Sequence, residues 1–359
     1  MAIAVLRQGL SVVVIERTDY GGARAGEHLP PGAKPHLLAL GVAGIATSDR
    51  HAACPGLRSA WGTSEPADRD YIFHPAGEAL NLSRPEFDRQ LASEVERLGG
   101  TLWTRTRVAG LERRHGQWRL TADRKPDSLH LTAQVLVDAT GRAAAVARRL
   151  GARPIVWDRL VGLVGRTRGS QAQDRVVVIE ALEEGWWYST GLADGSVIAV
   201  FFTDPDIADL SGAGRAATWQ RLSAAAPLTS GRCAALANVG ALHALSARTQ
   251  CLDRVCGPGW MAIGDAAQSF DPLSSQGIDK ALQAGLRAAP RIAAYVDGDE
   301  RALHAHQSEA RAAFAEYLAL RRRFYRAEMR WPDAPFWQRR HRPPVAPRGV
   351  HEAPLREHA

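Results

Sequence analysis

The sequence predicts an α/β protein whose parallel, helix-flanked layer is assembled from discontinuous segments, with an antiparallel β-sheet inserted between them and a C-terminal helix packed across. Three observations carry that expectation. Short apolar, β-branched runs at "VVVIER", "QVLVDATGR" and "GWMAIGD" each end on an acidic residue, as strands do when they feed a ligand-binding loop. Between about 156 and 255 the pattern changes to alternating runs broken by turn residues, which is the signature of an antiparallel sheet. Beyond residue 276 it becomes helical, first in "SQGIDKALQAGLRAAPRIAAYV" and then in "EARAAFAEYLALRRRFYRAEMRW".

The first element, Met1 to Gln8, reads as the end of a helix stopped by Gly9; Leu10 to Ile15 is then a strand closing on Glu16 and Arg17. A loop dense in glycine and proline, "GGARAGEHLPPGAK", holds Arg24 and precedes a short helix from His36 to Leu40. Ser83 caps the next helix, with Pro85 in its first turn, Glu86 three residues after the cap, Phe87, Leu91, Val95 and Leu98 on one face, and Gly99 and Gly100 ending it. Strands at "TLWTRTRVAGLERR" and "QWRLTAD" turn at His115 and Gly116. A buried strand from Gln134 to Val137 then delivers Asp138 and Gly141 ahead of a helix from Ala143 to Leu150. The inserted sheet comprises "RLVGLVGRTRG", "RVVVIEAL", "GWWYSTGLADG" and "SVIAVFFTD", followed by a helix from Ala216 to Ala226 and the irregular "GRCAALANVGALHALSARTQ". After Trp337 the basic, proline-rich tail is expected to be disordered. The parallel layer is therefore placed at 1–60, 83–155 and 256–298. Residues 61–82 form a segment on the substrate side, 156–255 the inserted sheet, 299–337 a C-terminal helical region and 338–359 the tail.

Composition narrows the setting. A chain of 359 residues with 45% hydrophobic and 23% charged content is long and apolar enough to bury a large core. The longest apolar run is far too short to span a bilayer, and no small-residue cleavage site follows the first fifteen residues, so neither a membrane helix nor a secretory leader is expected. Cys54, Cys233, Cys251 and Cys256 lack CxxC spacing and read as reduced thiols, which points to the cytoplasm. The net charge of +7 comes from arginines spread through the chain and concentrated only at "RRRFYRAEMR" and "RRHR". Without a nucleic-acid motif beside them, they suit an acidic protein partner or an anionic cofactor.

Chemistry concentrates in "GWMAIGDAAQSFDPLSSQGIDKAL". A strand brings Gly264 and Asp265 to its carboxyl end, where open α/β sheets bind ligands, and Asp265 can accept hydrogen bonds from a ribitol or ribose hydroxyl. "DPLSSQGI" then aims backbone amides and a helix N-terminus at a ring edge carrying negative charge, with Pro272 and Gly277 permitting close backbone approach to a flat ring. A reduced isoalloxazine has such an edge. Glu16, directly after "VVVI", stands where the acidic residue of a dinucleotide-binding βαβ unit grips a ribose hydroxyl. The glycine loop of such a unit belongs upstream of residue 1. A start site assigned too late is the expected cause of its absence; a chain that has lost its cofactor and acts as a binding protein is the alternative.

On these pieces the chain resembles the FAD-dependent aromatic hydroxylases of the p-hydroxybenzoate hydroxylase type and the flavin-dependent tryptophan halogenases. "VVVIER", "VLVDATGRAAAVARRLG" and "GDAAQSFDPLSSQGIDKAL" match in order over residues 1 to about 290. The resemblance implies a Rossmann-like FAD-binding domain. In it Glu16 and Arg17 would lie at the adenosine ribose, Arg24 at the pyrophosphate or ribose region, and Asp138, Gly141 and Arg142 in the second FAD-contacting loop. Gly264 and Asp265 would lie at the ribitol and Pro272 at the ring, with Gly277 and Ile278 presenting amides to it. Within that superfamily, "GEHLPP", "SAWG", "GWWYS" and "RRFYRAEMRWPDAPFWQRR" look most like the flavoproteins that mature quinone-bearing amine and amino-acid oxidases. That likeness implies monooxygenation of an indole ring, a tryptophan side chain in a partner polypeptide, by FAD reduced by NADH, NADPH or a separate reductase.

Trp186, Trp187 and Tyr188 are candidate walls of the aromatic pocket, and alternation along a strand sends the two tryptophans to opposite faces. Halogenases resembling this family carry a substrate-side lysine and a WxWxIP string. Neither is found here, and Lys34 reads as a solvated loop residue, so oxygenation is expected over halogenation. Relatives commonly carry serine where this chain has Ala144, which removes a helix cap. The hard chemistry belongs to the cofactor, in keeping with a sequence that offers no nucleophile and no metal set. His243, His304 and His306 accordingly read as surface residues, Arg84 and Asp88 as an i,i+4 surface pair, and Asp271 as a turn former.

Overall fold

The computed structural model describes residues 1–22, 24–168, 173–233 and 242–342. It opens with helix α1 (Ala2–Leu6), strand β1 (Val13–Ile15), strand β2 (His28–Leu29) and helix α2 (Lys34–Ala39). Strands β3 (Ala52–Cys54), β4 (Gly56–Ala60), β5 (Ala67–Asp70) and β6 (Ala79–Asn81) follow, then helix α3 (Arg84–Arg97) and strand β7 (Thr101–Trp103). β7 lies parallel to β1, with Val13 opposite Thr101 and Ile15 opposite Trp103. α3 is the crossover between them, and its Phe87 and Val95 pack into the same core as Ile3 and Val5 of α1.

The strand expected over 101–114 is broken in two. Arg105 adopts a left-handed backbone (φ 52°), and the chain restarts as β8 (Arg107–Arg114), which pairs in a meander with β9 (Gln117–Arg124) and β10 (Asp127–Ala133). Strand β11 (Leu136–Asp138) then leads through a turn at Gly141–Ala143 to helix α4 (Ala145–Arg149). Ala144 occupies the cap position with φ 44°. Upstream side chains take over the missing cap: Thr140 Oγ1 accepts from Ala145 N, and Asp138 Oδ2 accepts from Val146 N and Ala147 N.

The middle of the chain supplies β12 (Pro154–Val156), β13 (Val161–Arg168), β14 (Val177–Leu182), β15 (Gly185–Gly191) and β16 (Ser196–Thr203). Helices α5 (Arg215–Ala224) and α6 (Ser230–Cys233) and strands β17 (His243–Ser246) and β18 (Gln250–Leu252) follow. The inserted sheet has seven strands in the order β17, β13, β16, β15, β14, β4, β5. It is larger than the sequence pattern indicated because β4 joins it, parallel to β14, from the segment assigned to the first layer. A five-residue run such as "GLRSA" carries no local mark of the sheet it will join. The irregular stretch predicted around 231–250 contains α6 and β17; its residues 234–241 lie outside the described residues.

The chain returns to the parallel layer through β19 (Cys256–Gly257) and β20 (Trp260–Ala262), which runs parallel to β11, and then through β21 (Gln268–Ser269) to α7 (Gly277–Val296). α2 is tied to α7 by His36 Nδ1 and Asp279 Oδ1, 2.8 Å apart. Helix α8 (Ala305–Ala327) packs across, and a further helix, α9 (Pro335–His341), closes the inserted sheet. The tail expected from residue 338 onward does not begin there. Residues 338–341 are helical, since Arg339 and Arg340 both bond to Asp204 just beyond β16 and Trp337 is fully buried against Trp61, with its indole N–H on Leu182 O. Residues 343–359 lie outside the described residues.

Candidate active site

Glu16 follows β1, and its Oε1 accepts from Thr18 N (2.8 Å) and Thr18 Oγ1 (2.6 Å). Arg24 sits 3.5 Å from the same oxygen, while Oε2 accepts no hydrogen bond among the described residues; Arg17 is exposed beside it. Arg24 also reaches Asp88 on α3 (3.2 Å), and Asp88 in turn holds Arg84 (3.2 Å). Arg84 donates to Ala25 O and Gly26 O, both at 3.0 Å, and its charge acts on Asp265. Asp265 lies 3.5 Å from Arg142. One relay of alternating charge thus runs from the end of β1, across the start of α3, to the end of β20.

Sequence spacing indicated the two ends of this relay but not its centre. Arg84 and Asp88 are the expected i,i+4 pair, yet both side chains are largely shielded and anchor the Ala25–Gly26 loop rather than a surface. Nothing in a helix-starting Arg-Pro dipeptide announces that. Asp138, placed by sequence among the cofactor contacts, uses both carboxylate oxygens within its own loop, on Thr140 and on the first amides of α4. Gly141, in that loop, has φ 68°. Arg142 is anchored by Arg248 O (2.6 Å) and Phe270 O (2.9 Å), which aims its guanidinium at Asp265. Burial pushes the Asp265 carboxyl above its usual range, opposed by Arg142 and Arg84.

Gly264 has φ 55°, a left-handed backbone that glycine adopts without strain; a Cβ there would make only ordinary contact with Ala281 of α7, at 3.6 Å. The loop after it is pinned from behind. Asp271, 1% exposed, accepts from Leu273 N, from Arg321 Nε (3.1 Å) and from Tyr325 Oη (2.8 Å), while its own N–H donates to Tyr317 Oη (2.7 Å). It is the expected turn former and also the link from this loop to α8. Pro272 opens the short turn Pro272–Ser274, and Ser275 takes φ 49° to start α7. α7 has no side-chain cap, so the backbone N–H groups at Gly277 and Ile278 are free of capping side chains, and a Cβ on Gly277 would enter open space. The Ile278 side chain turns into the core.

These residues fit FAD. A diol acceptor stands at one end and guanidinium groups for a pyrophosphate in the middle. A hydroxyl acceptor with uncapped amides at a helix N-terminus stands at the other.

The three aromatic candidates divide. Trp186 is fully buried, stacked on Phe202 (4.2 Å between centroids), with its indole N–H on Tyr325 Oη; Trp187 is fully buried on the other face against Trp219 (4.8 Å). Both are core residues. Tyr188 differs: its hydroxyl is buried without a partner among the described residues, and burial followed by the nearby Glu27 charge raises its pKa well above the phenol range. Glu27 is 7% exposed, and burial pushes its carboxyl up. His28, next in the chain, is held neutral by burial, its pKa pulled down to about 4, and it lies 3.4 Å from Asn81 Oδ1. Asn81 Nδ2 reaches Arg175 O (2.7 Å) and Thr190 Oγ1 (2.8 Å), which ties β6 to the inserted sheet. Glu27, His28 and Tyr188 therefore gather where the loop held by Arg84 meets that sheet. Glu27 lies within "GEHLPP", and no spacing rule marks it.

Of the other expectations, Lys34 opens α2 half-buried, and His243 and His304 are exposed. His306 is not a surface residue: it packs against β20, with Nε2 2.7 Å from Ala262 O. No described helix is long and apolar enough to cross a membrane.

Comparison with known proteins supports FAD as the cofactor. LodB of Marinomonas mediterranea, described as an FAD-dependent oxidoreductase, is 30% identical over 342 residues, covering 92% of this chain and 90% of its own. The structure of the peptidyl tryptophan dihydroxylase QhpG is 27% identical and covers 94% of this chain and 75% of that one, with a TM-score of 0.78. The flavin-dependent halogenase CmlS, 22% identical with a TM-score of 0.84, shares the fold; the match covers 95% of this chain but 65% of CmlS. A protein family described as an FAD binding domain matches residues 4–321. Because that match runs through all three strand ends that bear Glu16, Asp138 and Asp265, this chain belongs to the FAD-binding-domain family of flavin-dependent oxidoreductases.

Proposed function

We propose that this protein is an FAD-dependent monooxygenase that hydroxylates an electron-rich indole ring, carried as a tryptophan side chain of a partner polypeptide. The observation that carries this reading is that the buried Glu27 carboxyl acts through its charge on the buried, unpartnered hydroxyl of Tyr188, where the loop held by Arg84 meets the inserted sheet. An indole attacked at a ring carbon releases electron density from its nitrogen, so the N–H becomes more acidic as the new C–O bond forms. A Glu27 oxygen accepts that N–H and stabilises the charge, and the raised carboxyl pKa makes it a stronger base. The Tyr188 hydroxyl is free to donate to the oxygen delivered to the ring. FAD, reduced by NADH, NADPH or a separate reductase, supplies the activation of O2 when bound. Glu16, Arg24, Arg84, Arg142 and Asp265 hold it, and Gly277 and Ile278 offer their amides to its ring.

The name of QhpG, a peptidyl tryptophan dihydroxylase, supports a polypeptide substrate. The test is incubation of the FAD-loaded protein with reductant, ¹⁸O₂ and a tryptophan-bearing partner polypeptide, followed by mass spectrometry. Incorporation of ¹⁸O on the indole, unchanged when chloride and bromide are removed, is the expected result. A halide-dependent product, or no FAD bound in any preparation, overturns the reading.

A further inference from the structure

We propose that the arginine-walled pocket between α8, α9 and the Trp157–Arg159 segment is a docking site for an acidic stretch of a polypeptide. The pocket encloses about 300 Å³ and is lined by Arg159, Arg321, Arg322, Arg339, Arg340 and Arg342. Four of these are matched by acids. Arg321 pairs with Asp158 (2.9 Å) and Asp271 (3.1 Å), Arg339 with Asp204 and Asp206 (both 2.8 Å), Arg340 with Asp204 (2.8 Å), and Arg159 with Asp206 (2.9 Å). Arg322 and Arg342 have no acid partner among the described residues.

Two further donors are unsatisfied. The Nε–H groups of Arg322 and Arg340 are buried without an acceptor among the described residues, and Arg340 is only 4% exposed. Buried donors nearly always find acceptors, and both residues that carry these orphans line this one cavity, where Arg322 and Arg342, with no acid partner among the described residues, leave charge for an oxyanion. Six arginines against the four acids that pair with them leave an excess of positive charge. In a concave, partly desolvated setting, that excess attracts an anion more strongly than an open surface would.

The surround selects a polypeptide over a free small anion. Trp157 and Leu318 give the pocket apolar walls beside its arginines. Arginine beside an aromatic side chain is a composition enriched in protein interfaces. The volume lies at the lower end of small-ligand sites, room for one or two carboxylate side chains. A chain of net charge +7 also steers an acidic partner toward this end. Charge and shape carry this inference, whichever ring the enzyme oxidises.

The test titrates the full chain into a fluorescein-labelled hexaglutamate peptide, followed by anisotropy. Saturable binding is expected. Arg342→Glu should weaken it by about tenfold with an unchanged melting temperature, because Arg342 is exposed. Arg107→Glu makes an equal charge change on the separate three-stranded sheet and should alter binding by no more than about twofold. Arg322→Gln, which removes an orphaned guanidinium without reversing charge, should also weaken binding. Absence of saturable binding overturns the proposal, as does equal weakening by Arg342→Glu and Arg107→Glu. Competition by inorganic phosphate at the same concentration as the peptide overturns the polypeptide assignment.

Discussion

At the scale of single residues, burial decides which groups have chemistry to offer. Glu27 and His28 are neighbours in the chain, both buried, and burial moves them in opposite directions: the acid becomes a better base and the imidazole is held neutral. Glu27→Gln keeps the size and removes the base; turnover should fall by about 100-fold or more while FAD binding, read by flavin absorbance, persists. Tyr188→Phe deletes a hydroxyl that bonds to nothing in the described chain, so stability should change by less than about 1 kcal/mol. Activity should nevertheless fall, and that separation is what chemical denaturation alongside kinetics would read. His28 binds a proton more weakly folded than unfolded, so the unfolded chain takes up a proton first as the pH drops. Stability is therefore full above about pH 6.5 and is lost progressively toward pH 4, by about 3 kcal/mol from this group alone. In urea melts over that window, His28→Gln should flatten the dependence.

At the scale of elements, α3 and α7 do the positioning. α3 is the crossover that places β1 beside β7, and its first two turns carry Arg84 and Asp88 to the middle of the charge relay. Arg84→Ala removes two hydrogen bonds to the loop before Glu27 and one guanidinium from the groove. FAD affinity should drop roughly 10- to 100-fold, measured by flavin fluorescence on dilution. α7 is legible in the sequence from end to end because its apolar face repeats at helical spacing, with Leu282, Gly285, Ala288, Ala289 and Ile292 buried. β4 was not, since its place depends on parallel pairing with β14, more than a hundred residues away.

At the scale of the whole molecule, the C-terminal helices lock the cofactor layer to the inserted sheet. Asp271, in the ring-side loop, is held by Arg321 and Tyr325 of α8, and the Tyr325 hydroxyl also takes the indole N–H of Trp186 from the sheet. Asp271→Ala leaves the buried Arg321 with Asp158 alone, and a cost of about 3–5 kcal/mol is expected in denaturant unfolding. Trp337→Ala opens a cavity among Trp61, Tyr325 and Phe336 and should cost a similar amount, about 3–5 kcal/mol. Both variants should show the cofactor layer and the sheet losing structure together.

What the sequence determined by itself was local and periodic. Strand runs ending on Glu16, Asp138 and Asp265, the helix that starts after Ser83 and the helix start at Gly277 are written within windows of a dozen residues, and so is the family likeness they carry; the cap expected of the Ser83 side chain is not made. Tertiary structure decided everything that depends on which distant side chains meet. Trp186 and Trp187 became core because α8 and α5 cover the two faces of their strand, His306 found a carbonyl on β20, and Arg339 and Arg340 ordered a tail that composition marked as loose. Glu27 acquired its character only when the inserted sheet closed over it. A carboxyl is an ordinary acid in water and a base in a dry seam, and no stretch of letters states how dry its surroundings will be.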